Sequence, residues 1–366
     1  MISILYILHS PPPIHGSAVI GGFIKESTLI NSSFYCRYIN LGTSASVEDI
    51  GGFSIQKLLR YFSLIWQVKK QLLKLSPDLC YFTPTAAGPG FYKDALLISI
   101  VKIFGINTVF HYHNKGVSVR QESRFDNFLY RMAFKNTRVI LLSKHLYPDI
   151  QKYVPEEMVY YCPNGIPEIK GERQREKGES EDSVVEFLFL SHLIRSKGVL
   201  ALIDACRLLR DHGTEFHCTI AGGDAELTKQ SVETIVAEKG LSSYISVVGQ
   251  KHGPEKNDLM SSADVFVHPT YNDCLPLVLL ESMQYSLPIV STFEGAIPDV
   301  VDDGVTGFLV PQKDVKTLAE KLEMLIKDSD LRKRMGAAGR TKYECEFTLE
   351  RFENRMAEIL NQIANA

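Results

Sequence analysis

The chain has 366 residues, of which 45% are hydrophobic and 23% charged, with a formal net charge of -3. This length exceeds what one hydrophobic core usually supports, so we expect two domains, and the composition excludes disordered and fibrous proteins. The near-neutral charge gives no general sign of nucleic-acid binding. Seven cysteines lie singly, without the paired spacing of a metal site, which favours a reducing, cytoplasmic compartment.

Short β-rich segments alternate with helical patterns through the first half, which predicts a parallel α/β sheet. The predicted strands are Ile2–Leu8, Phe34–Asn40, Leu79–Phe82, Thr108–His113 and Val139–Leu142. The first segment is apolar but lacks a positively charged start, so we interpret it as a buried strand and not as a targeting signal. No apolar segment approaches the roughly 20 residues that cross a bilayer, so any membrane contact would be peripheral.

A charged segment, Glu168–Asp182, separates this half from the next and is predicted to be an exposed linker. The alternation of strands and helices then starts again, which predicts a second sheet of the same kind. Its predicted strands are Val184–Leu190, His217–Ala221, Ile245–Val248, Val265–His268, Ile289–Thr292 and Phe308–Val310.

The most informative segment runs from His268 to Met283, where a predicted strand leads through a loop into a helix. Ligands of open α/β sheets bind at this edge, and the start of a helix offers unpaired N–H groups to a phosphate. The candidate backbone is that of Leu275, Pro276, Leu277 and Val278. Glu281 would face the same site. The alternative is a core helix anchored by its leucines, with Glu281 solvated.

Asp273 and Glu281, separated by seven residues around a Leu-Pro-Leu helix start, resemble the signature of glycosyltransferase family 4. The resemblance implies the GT-B fold, with two Rossmann-like domains facing across a cleft and a C-terminal helix, about 347–366, crossing back to the first. It implies an acceptor-binding domain over 1–167 and a nucleotide-sugar-binding domain over 168–346. By resemblance, Glu281 would bind the ribose hydroxyls and Asp273 a hydroxyl of the donor sugar.

Other segments of the second half resemble the family in the family's own order. Ser191–Gly198 resembles the loop whose Arg and Lys hold the donor diphosphate, which makes Lys197 and Arg195 candidates, with His192 as the alternative to Arg195. A cation pair at this place suits a leaving pyrophosphate. The glycine turn at Gly222 and the segment around Val248, near the nucleobase by resemblance, complete the donor-binding candidates.

Two segments of the first half add candidates. The loop after the first strand carries Gly16, which would let the backbone approach the donor phosphates, and Ser17, which could cap the next helix. Family members place a histidine after the fourth strand, near the donor sugar. His113 is our choice for that role and His111 is the alternative, because both can lie on one side of a strand.

Together these matches imply a retaining glycosyltransferase that moves a sugar from a nucleotide diphosphate to a saccharide or lipid-linked acceptor, without a metal or other cofactor. The implied setting is bacterial surface polysaccharide or glycolipid synthesis. The candidate catalytic residues are His113, Asp273, Lys197 and Arg195. The alternatives are a sugar-nucleotide epimerase of similar fold and an inactive nucleotide-sugar-binding subunit. Asp328-Ser329-Asp330 matches a metal-binding Asp-x-Asp pattern, but we interpret Ser329 or Asp330 as a helix cap.

Gln56–Leu75 is a basic, aromatic-bearing amphipathic pattern, and Lys115–Arg138 contains six further cations. Either segment could meet an anionic lipid surface or a phosphorylated lipid acceptor, so peripheral membrane association at the inner face of the membrane is a hypothesis. The alternative for the first segment is burial against its own sheet. That alternative predicts buried side chains at Leu58, Leu59, Phe62 and Ile65.

Overall fold

The computed structural model describes residues 1–12, 15–42, 55–169 and 184–365. The chain divides into two compact units, one made of Met1–Gly165 with Leu349–Ala366 and the other of Ile166–Thr348. Apart from its first two residues, the predicted linker 168–182 lies outside the described residues. No helix in the described ranges has both the length and the apolar character that a bilayer crossing requires.

Strands and helices alternate along both units. The strands are β1 Ser3–Leu8, β2 Tyr35–Asn40, β3 Leu79–Phe82, β4 Asn107–Tyr112, β5 Thr137–Leu141, β6 Val159–Tyr161, β7 Val185–Leu190, β8 Phe216–Ala221, β9 Ile245–Gly249, β10 Val265–His268, β11 Ile289–Thr292 and β12 Gly307–Val310. The helices are α1 Gly16–Glu26, α2 Thr28–Ser33, α3 Ile55–Leu75, α4 Gly88–Ile103, α5 Val117–Arg120, α6 Arg124–Phe134, α7 Val199–Asp211, α8 Lys229–Glu238, α9 Gly253–Ser262, α10 Leu277–Gln284, α11 Ile297–Val300, α12 Val315–Lys327, α13 Ser329–Glu346 and α14 Leu349–Asn365.

The first unit is a six-stranded parallel sheet in the order β2-β1-β3-β4-β5-β6. Five of these strands confirm the predictions within two residues. The sixth, Val159–Tyr161, was not predicted because three residues are too few to show a period of two. The C-terminal helix α14 packs on α2 of this unit. Buried Phe352, Met356 and Leu360 supply its apolar face.

Helix α3 contradicts the predicted burial of one of its faces. Leu58, Leu59 and Phe62, which were expected to pack against the sheet, are 41%, 63% and 58% exposed. The buried side chains are instead Leu64, Val68 and Leu72, and Ile65 is half-buried. The prediction was wrong because this helix has apolar residues on two opposite faces, and periodicity does not say which face is buried.

The second unit is a six-stranded parallel sheet in the order β12-β11-β10-β7-β8-β9. The chain runs outward from β7 through β8 to β9, then returns to the other side of β7 to form β10. The strand order therefore reverses between β7 and β10. Loops diverge at such a switch point beyond the carboxyl ends of the strands, which leaves a crevice suited to a ligand.

The Asp328-Ser329-Asp330 triplet lies between α12 and α13 and acts as a helix cap. Asp328 Oδ1 accepts a hydrogen bond of 2.7 Å from the backbone N–H of Leu331. The capping residue is therefore Asp328, and not Ser329 or Asp330 as predicted. Asp328 stands at the N-cap of α13, where a carboxylate stabilises the unpaired N–H groups of the first turn.

Candidate active site

Two loops meet at the switch point of the second unit. One follows β7 and forms a 3₁₀ turn over Arg195–Lys197, and the other follows β10 and leads to α10. The carbonyl of Ser196 accepts hydrogen bonds from the backbone N–H of Tyr271, at 2.9 Å, and from Oγ1 of Thr270, at 3.1 Å. These bonds bring the Lys-bearing loop beside the Asp-bearing loop that the sequence had singled out separately.

Gly198 allows this close approach. It has a φ of 84°, and a Cβ at this position would lie 2.0 Å from the carbonyl oxygen of Pro269. Only glycine provides both the left-handed backbone and the missing side chain at low cost. The contact thus fixes the start of α7 against the loop that follows β10.

We expect Gly198→Ala to destabilise the second unit by more than the cost of placing alanine in a left-handed backbone. Gly213, at the other end of α7, is a matched control, because its φ is 74° and, its chain neighbours apart, no atom of the described residues lies within 4 Å of its added Cβ. Gly213→Ala should cost about 1–2 kcal/mol for the backbone. Gly198→Ala should cost about 1–3 kcal/mol more, because the methyl group meets backbone that cannot move freely. Urea unfolding of both variants measures the difference, and equal losses would contradict the close contact.

Lys197 and Asp273 form an ion pair at this junction, and both side chains are largely buried. Lys197 Nζ also donates to the carbonyl of Asn272 at 3.3 Å. His268, at the end of β10, completes the group, with Nε2 3.7 Å from Asp273 Oδ2, and this distance makes their interaction electrostatic. Burial alone would raise the pKa of Asp273, but His268 and the Lys197 ammonium lower it to about 2. Asp273 is therefore charged at neutral pH.

The backbone of Asp273 is held by Glu294, a residue that the sequence did not single out. The buried Glu294 carboxylate accepts the Asp273 N–H at 3.0 Å and the Gln312 Nε2 donor at 2.7 Å. Next to it, Gly295 has a φ of 54° and lies against the carbonyls of Asp273 and Cys274. The loop after β11 therefore holds the loop that follows β10 in place. A local sequence motif cannot reveal this contact, because the two loops are separated along the chain.

Helix α10 begins beside this group of residues. Pro276 is its N-cap, and no side chain in the described parts of the chain caps the helix start. The backbone N–H groups of Leu277 and Val278 open the first turn, while Leu275 is buried just before it. A helix start without a side-chain cap, positive by its dipole, suits an anionic ligand.

Glu281, in the second turn of α10, is paired with a lysine that the sequence did not predict. Its Oε1 accepts a hydrogen bond of 2.7 Å from Nζ of Lys256, which lies on α9. Its Oε2 is buried and lacks a hydrogen-bond partner among the described residues. A buried carboxylate oxygen is normally hydrogen-bonded, so this atom is available to a donor group from a ligand.

The other predicted donor-binding residues of this unit lie along the same edge of the sheet. Gly222 approaches the Ser191 carbonyl so closely that a Cβ would lie 1.9 Å from it, and the next residue lies against His192 and Gln250. Val248 is half-buried near the end of β9. Arg195 is exposed, and its backbone N–H donates to Glu226 at 3.1 Å.

In the first unit the structure corrects the expected helix cap. Helix α1 begins at Gly16 with His15 as its N-cap, and Ser17 instead hydrogen-bonds Nδ1 of His15 at 3.1 Å. Among the described residues, a Cβ on Gly16 would meet nothing within 4 Å, whereas one on Gly21 would lie 1.8 Å from the carbonyl oxygen of His9. The close backbone approach in this region therefore belongs to Gly21, and Pro13 and Ile14 lie outside the described residues.

The two histidines at the end of β4 differ in their surroundings. His111 is fully buried and its Nδ1 lies 2.6 Å from the Tyr81 hydroxyl, so it has a structural partner. His113 follows the strand, with its ring centre 4.1 Å from that of His111. Both of its ring nitrogens are buried without a partner among the described residues. Burial and the nearby His15 lower the pKa of His113 to about 3, so its ring is neutral at neutral pH.

Within the described ranges, no three His, Cys, Asp or Glu side chains are grouped in a way that could hold a metal ion.

Solved structures share this architecture over almost the whole chain. The Anabaena protein Alr3699/HepE, solved in complex with UDP-glucose, matches with a TM-score of 0.72 and 17% identity over 99% of this chain and 100% of that one. The two Rossmann-like units, with α14 returning to the first, have the architecture of the GT-B fold.

Sequence comparison matches the second unit to a known family. Residues 170–342, just under half of the chain, match the model of the glycosyl transferases group 1. The amylovoran biosynthesis glycosyltransferase AmsK of Erwinia amylovora is 31% identical over 187 residues, 49% of this chain and 45% of that protein. WcaL of Escherichia coli, named for colanic acid biosynthesis, is 25% identical over 75% of this chain and 69% of its own length. The matched part thus spans about half the length of AmsK.

Proposed function

We propose that this protein transfers a sugar from a UDP-sugar to a saccharide or lipid-linked acceptor with retention of the anomeric configuration. The observation that carries the proposal is Glu281 Oε2, which has no partner in the described part of the chain and lies one turn and a half beyond the Asp273 loop at the switch point of the second unit. A carboxylate oxygen buried there suits the paired hydroxyls of a ribose. The residues of the loops after β7 and β10, and the order of these loops along the chain, support a donor-binding role for the second unit.

The donor diphosphate needs positive charge that is not already neutralised. Lys197 is compensated by Asp273 and Lys256 by Glu281, so these four residues carry no net charge. The additional positive potential would come from the start of α10, at Leu277 and Val278, and from the exposed Arg195. Lys197 would divide its three N–H donors between Asp273 and the phosphate oxygens.

Asp273 would hold a hydroxyl of the donor sugar. With a pKa of about 2 its carboxylate is charged, so it can accept but not donate a hydrogen bond at neutral pH. As the bond between sugar and diphosphate breaks, positive charge develops on the sugar, and Lys197 would stabilise the negative charge on the leaving UDP. The acceptor hydroxyl would then attack from the leaving-group side and give its proton to the phosphate oxygen that departs.

His113 is the first-unit residue that we propose to lie beside the donor sugar. Its neutral ring has two nitrogens without a partner among the described residues, one able to donate and the other to accept, whereas His111 is already bonded to Tyr81. Gly16, at the start of α1, stays a candidate for approach to the phosphates. The proposed acceptors follow the relatives AmsK, named for amylovoran biosynthesis, and WcaL, named for colanic acid biosynthesis.

The donor class can be tested by thermal unfolding with UDP-, GDP-, ADP- and TDP-sugars. A ligand that binds only the native state raises the melting temperature, by an amount that follows its affinity. We expect a rise with UDP-sugars that Glu281→Ala removes. A rise with another nucleotide alone would refute the uridine assignment, and binding without transfer to any acceptor would favour an inactive nucleotide-sugar-binding subunit.

A further inference from the structure

One face of α3 in the first unit is apolar and exposed along its length. At about 100° per residue, Ile55, Leu59, Phe62, Trp66 and Leu73 fall in a stripe about 60° wide. Trp66 and Leu73 are 68% and 72% exposed, and the buried residues of α3 lie on the opposite side of the helix. We name these five residues the α3 stripe. Single exposed apolar residues are common, but a contiguous stripe of this kind marks an interaction surface.

The α3 stripe lies in a basic helix. Residues 55–75 contain five cations and no Asp or Glu, and Lys69 and Lys70 fall on either side of the stripe. A helix about 31 Å long with apolar side chains between flanking lysines is the pattern of helices that lie in a membrane interface. Tryptophan in the middle of the stripe suits that depth, because its ring is apolar while its N–H is polar.

The neighbouring helices of this layer also expose apolar side chains. Helix α3 packs on α4, and α4 packs on α6. Twelve of the eighteen large apolar side chains that are exposed in the described residues fall between Ile55 and Phe128. The exposed apolar surface is therefore concentrated in this part of the first unit rather than scattered over the protein.

We infer that the α3 stripe docks on an anionic lipid bilayer. A second copy of the chain is a poorer partner, because a symmetric contact would place two helices with five cations each against one another. An anionic lipid surface instead attracts each lysine and accepts the apolar side chains. The inference does not depend on the proposed sugar transfer, since binding to vesicles is measured without any donor.

The chain contains a single tryptophan, so intrinsic tryptophan fluorescence reports on the α3 stripe alone. Vesicles of phosphatidylcholine with phosphatidylglycerol should shift the emission of Trp66 to shorter wavelength, and the protein should sediment with them. Vesicles of phosphatidylcholine alone should bind more weakly, and added salt should weaken binding to the anionic vesicles.

Two variants separate the apolar from the charged contribution. Leu59→Ser with Phe62→Ser should weaken vesicle binding by roughly tenfold or more, because two apolar side chains no longer insert. Lys69→Gln with Lys70→Gln should weaken binding to anionic vesicles by roughly tenfold. The matched controls, Val305→Ser with Met324→Ser and Lys229→Gln with Lys316→Gln, change exposed residues of the second unit and should leave binding unchanged.

Three results would overturn the inference. The first is no shift and no sedimentation with anionic vesicles, or equal binding to both kinds of vesicle. The second is a short-wavelength emission without vesicles that grows with protein concentration, which would assign the stripe to a second copy. The third is such an emission at every concentration, which would show that the chain covers the stripe itself. Unchanged thermal unfolding of the variants excludes loss of the fold as the cause.

Discussion

Lys197→Met should lower kcat by about 10²–10³-fold, because it removes a fixed positive charge from the place where the leaving diphosphate gains negative charge. The change also leaves Asp273, which is largely buried, without its cation. The pKa of Asp273 should then rise from about 2, since the Lys197 ammonium is one of the groups that lower it. Steady-state kinetics with a saturating UDP-sugar measures the effect on kcat.

The loss of an ion partner could destabilise the loop and lower activity indirectly, so two controls are needed. The double variant Lys197→Met with Asp273→Asn removes both charges and leaves no unpaired carboxylate. Lys251→Met removes another lysine of the same unit, one that pairs with Glu255 near the surface. A kcat near the original value in the double variant would show that Lys197 only neutralises Asp273 and does not act on the diphosphate.

The parts of this site that the sequence predicted are those held within one loop and its helix. Asp273 and Glu281 are close along the chain, so their spacing and the Leu-Pro-Leu start of α10 were sufficient. The parts that were not predicted come from other strands. Glu294 follows β11 and Lys256 lies on α9, and both reach the site only because of the order of strands in the sheet.

Two first-unit predictions show different limits of pattern reading. Ser17 had the residue type of a helix cap, but α1 begins at Gly16, so the actual N-cap is His15. A shift of two residues was enough, which is within the usual uncertainty of helix ends. In α3, apolar residues occupy both faces, and burial of Leu64 and Val68 rather than Leu59 depends on packing against α4 and the sheet. Periodicity identifies the helix but does not choose between two apolar faces.

The second large effect concerns Glu281 and the lysine that positions it. We expect the wild-type protein to bind UDP about tenfold or more tightly than 2′,3′-dideoxy-UDP, since a hydrogen bond to a charged group contributes about 1.5–3 kcal/mol. Glu281→Ala should bind both ligands equally weakly, because the carboxylate that would accept the ribose hydroxyls is gone. Calorimetric titration of the two ligands measures this preference.

Lys256 should contribute to the same preference without touching the ribose. Its hydrogen bond of 2.7 Å holds Oε1 of Glu281 and leaves the buried Oε2 to face the ligand. Lys256→Met should therefore reduce the preference for UDP over the dideoxy ligand, and Lys256→Arg should restore most of it. Adding Lys256→Met to Glu281→Ala should change binding no further, because the effects of two substitutions do not add when one residue acts through the other.

A purely structural Lys256 would give a different pattern. The methionine variant would then lose affinity for UDP and the dideoxy ligand by the same factor, and its effect would add to that of Glu281→Ala. Lys251→Met provides the comparison, because Lys251 precedes α9 and pairs with Glu255 of that helix away from Glu281. Because the preference for ribose hydroxyls is a ratio measured within one variant, a general loss of stability cancels from it, and only the orientation of Glu281 remains to explain a change.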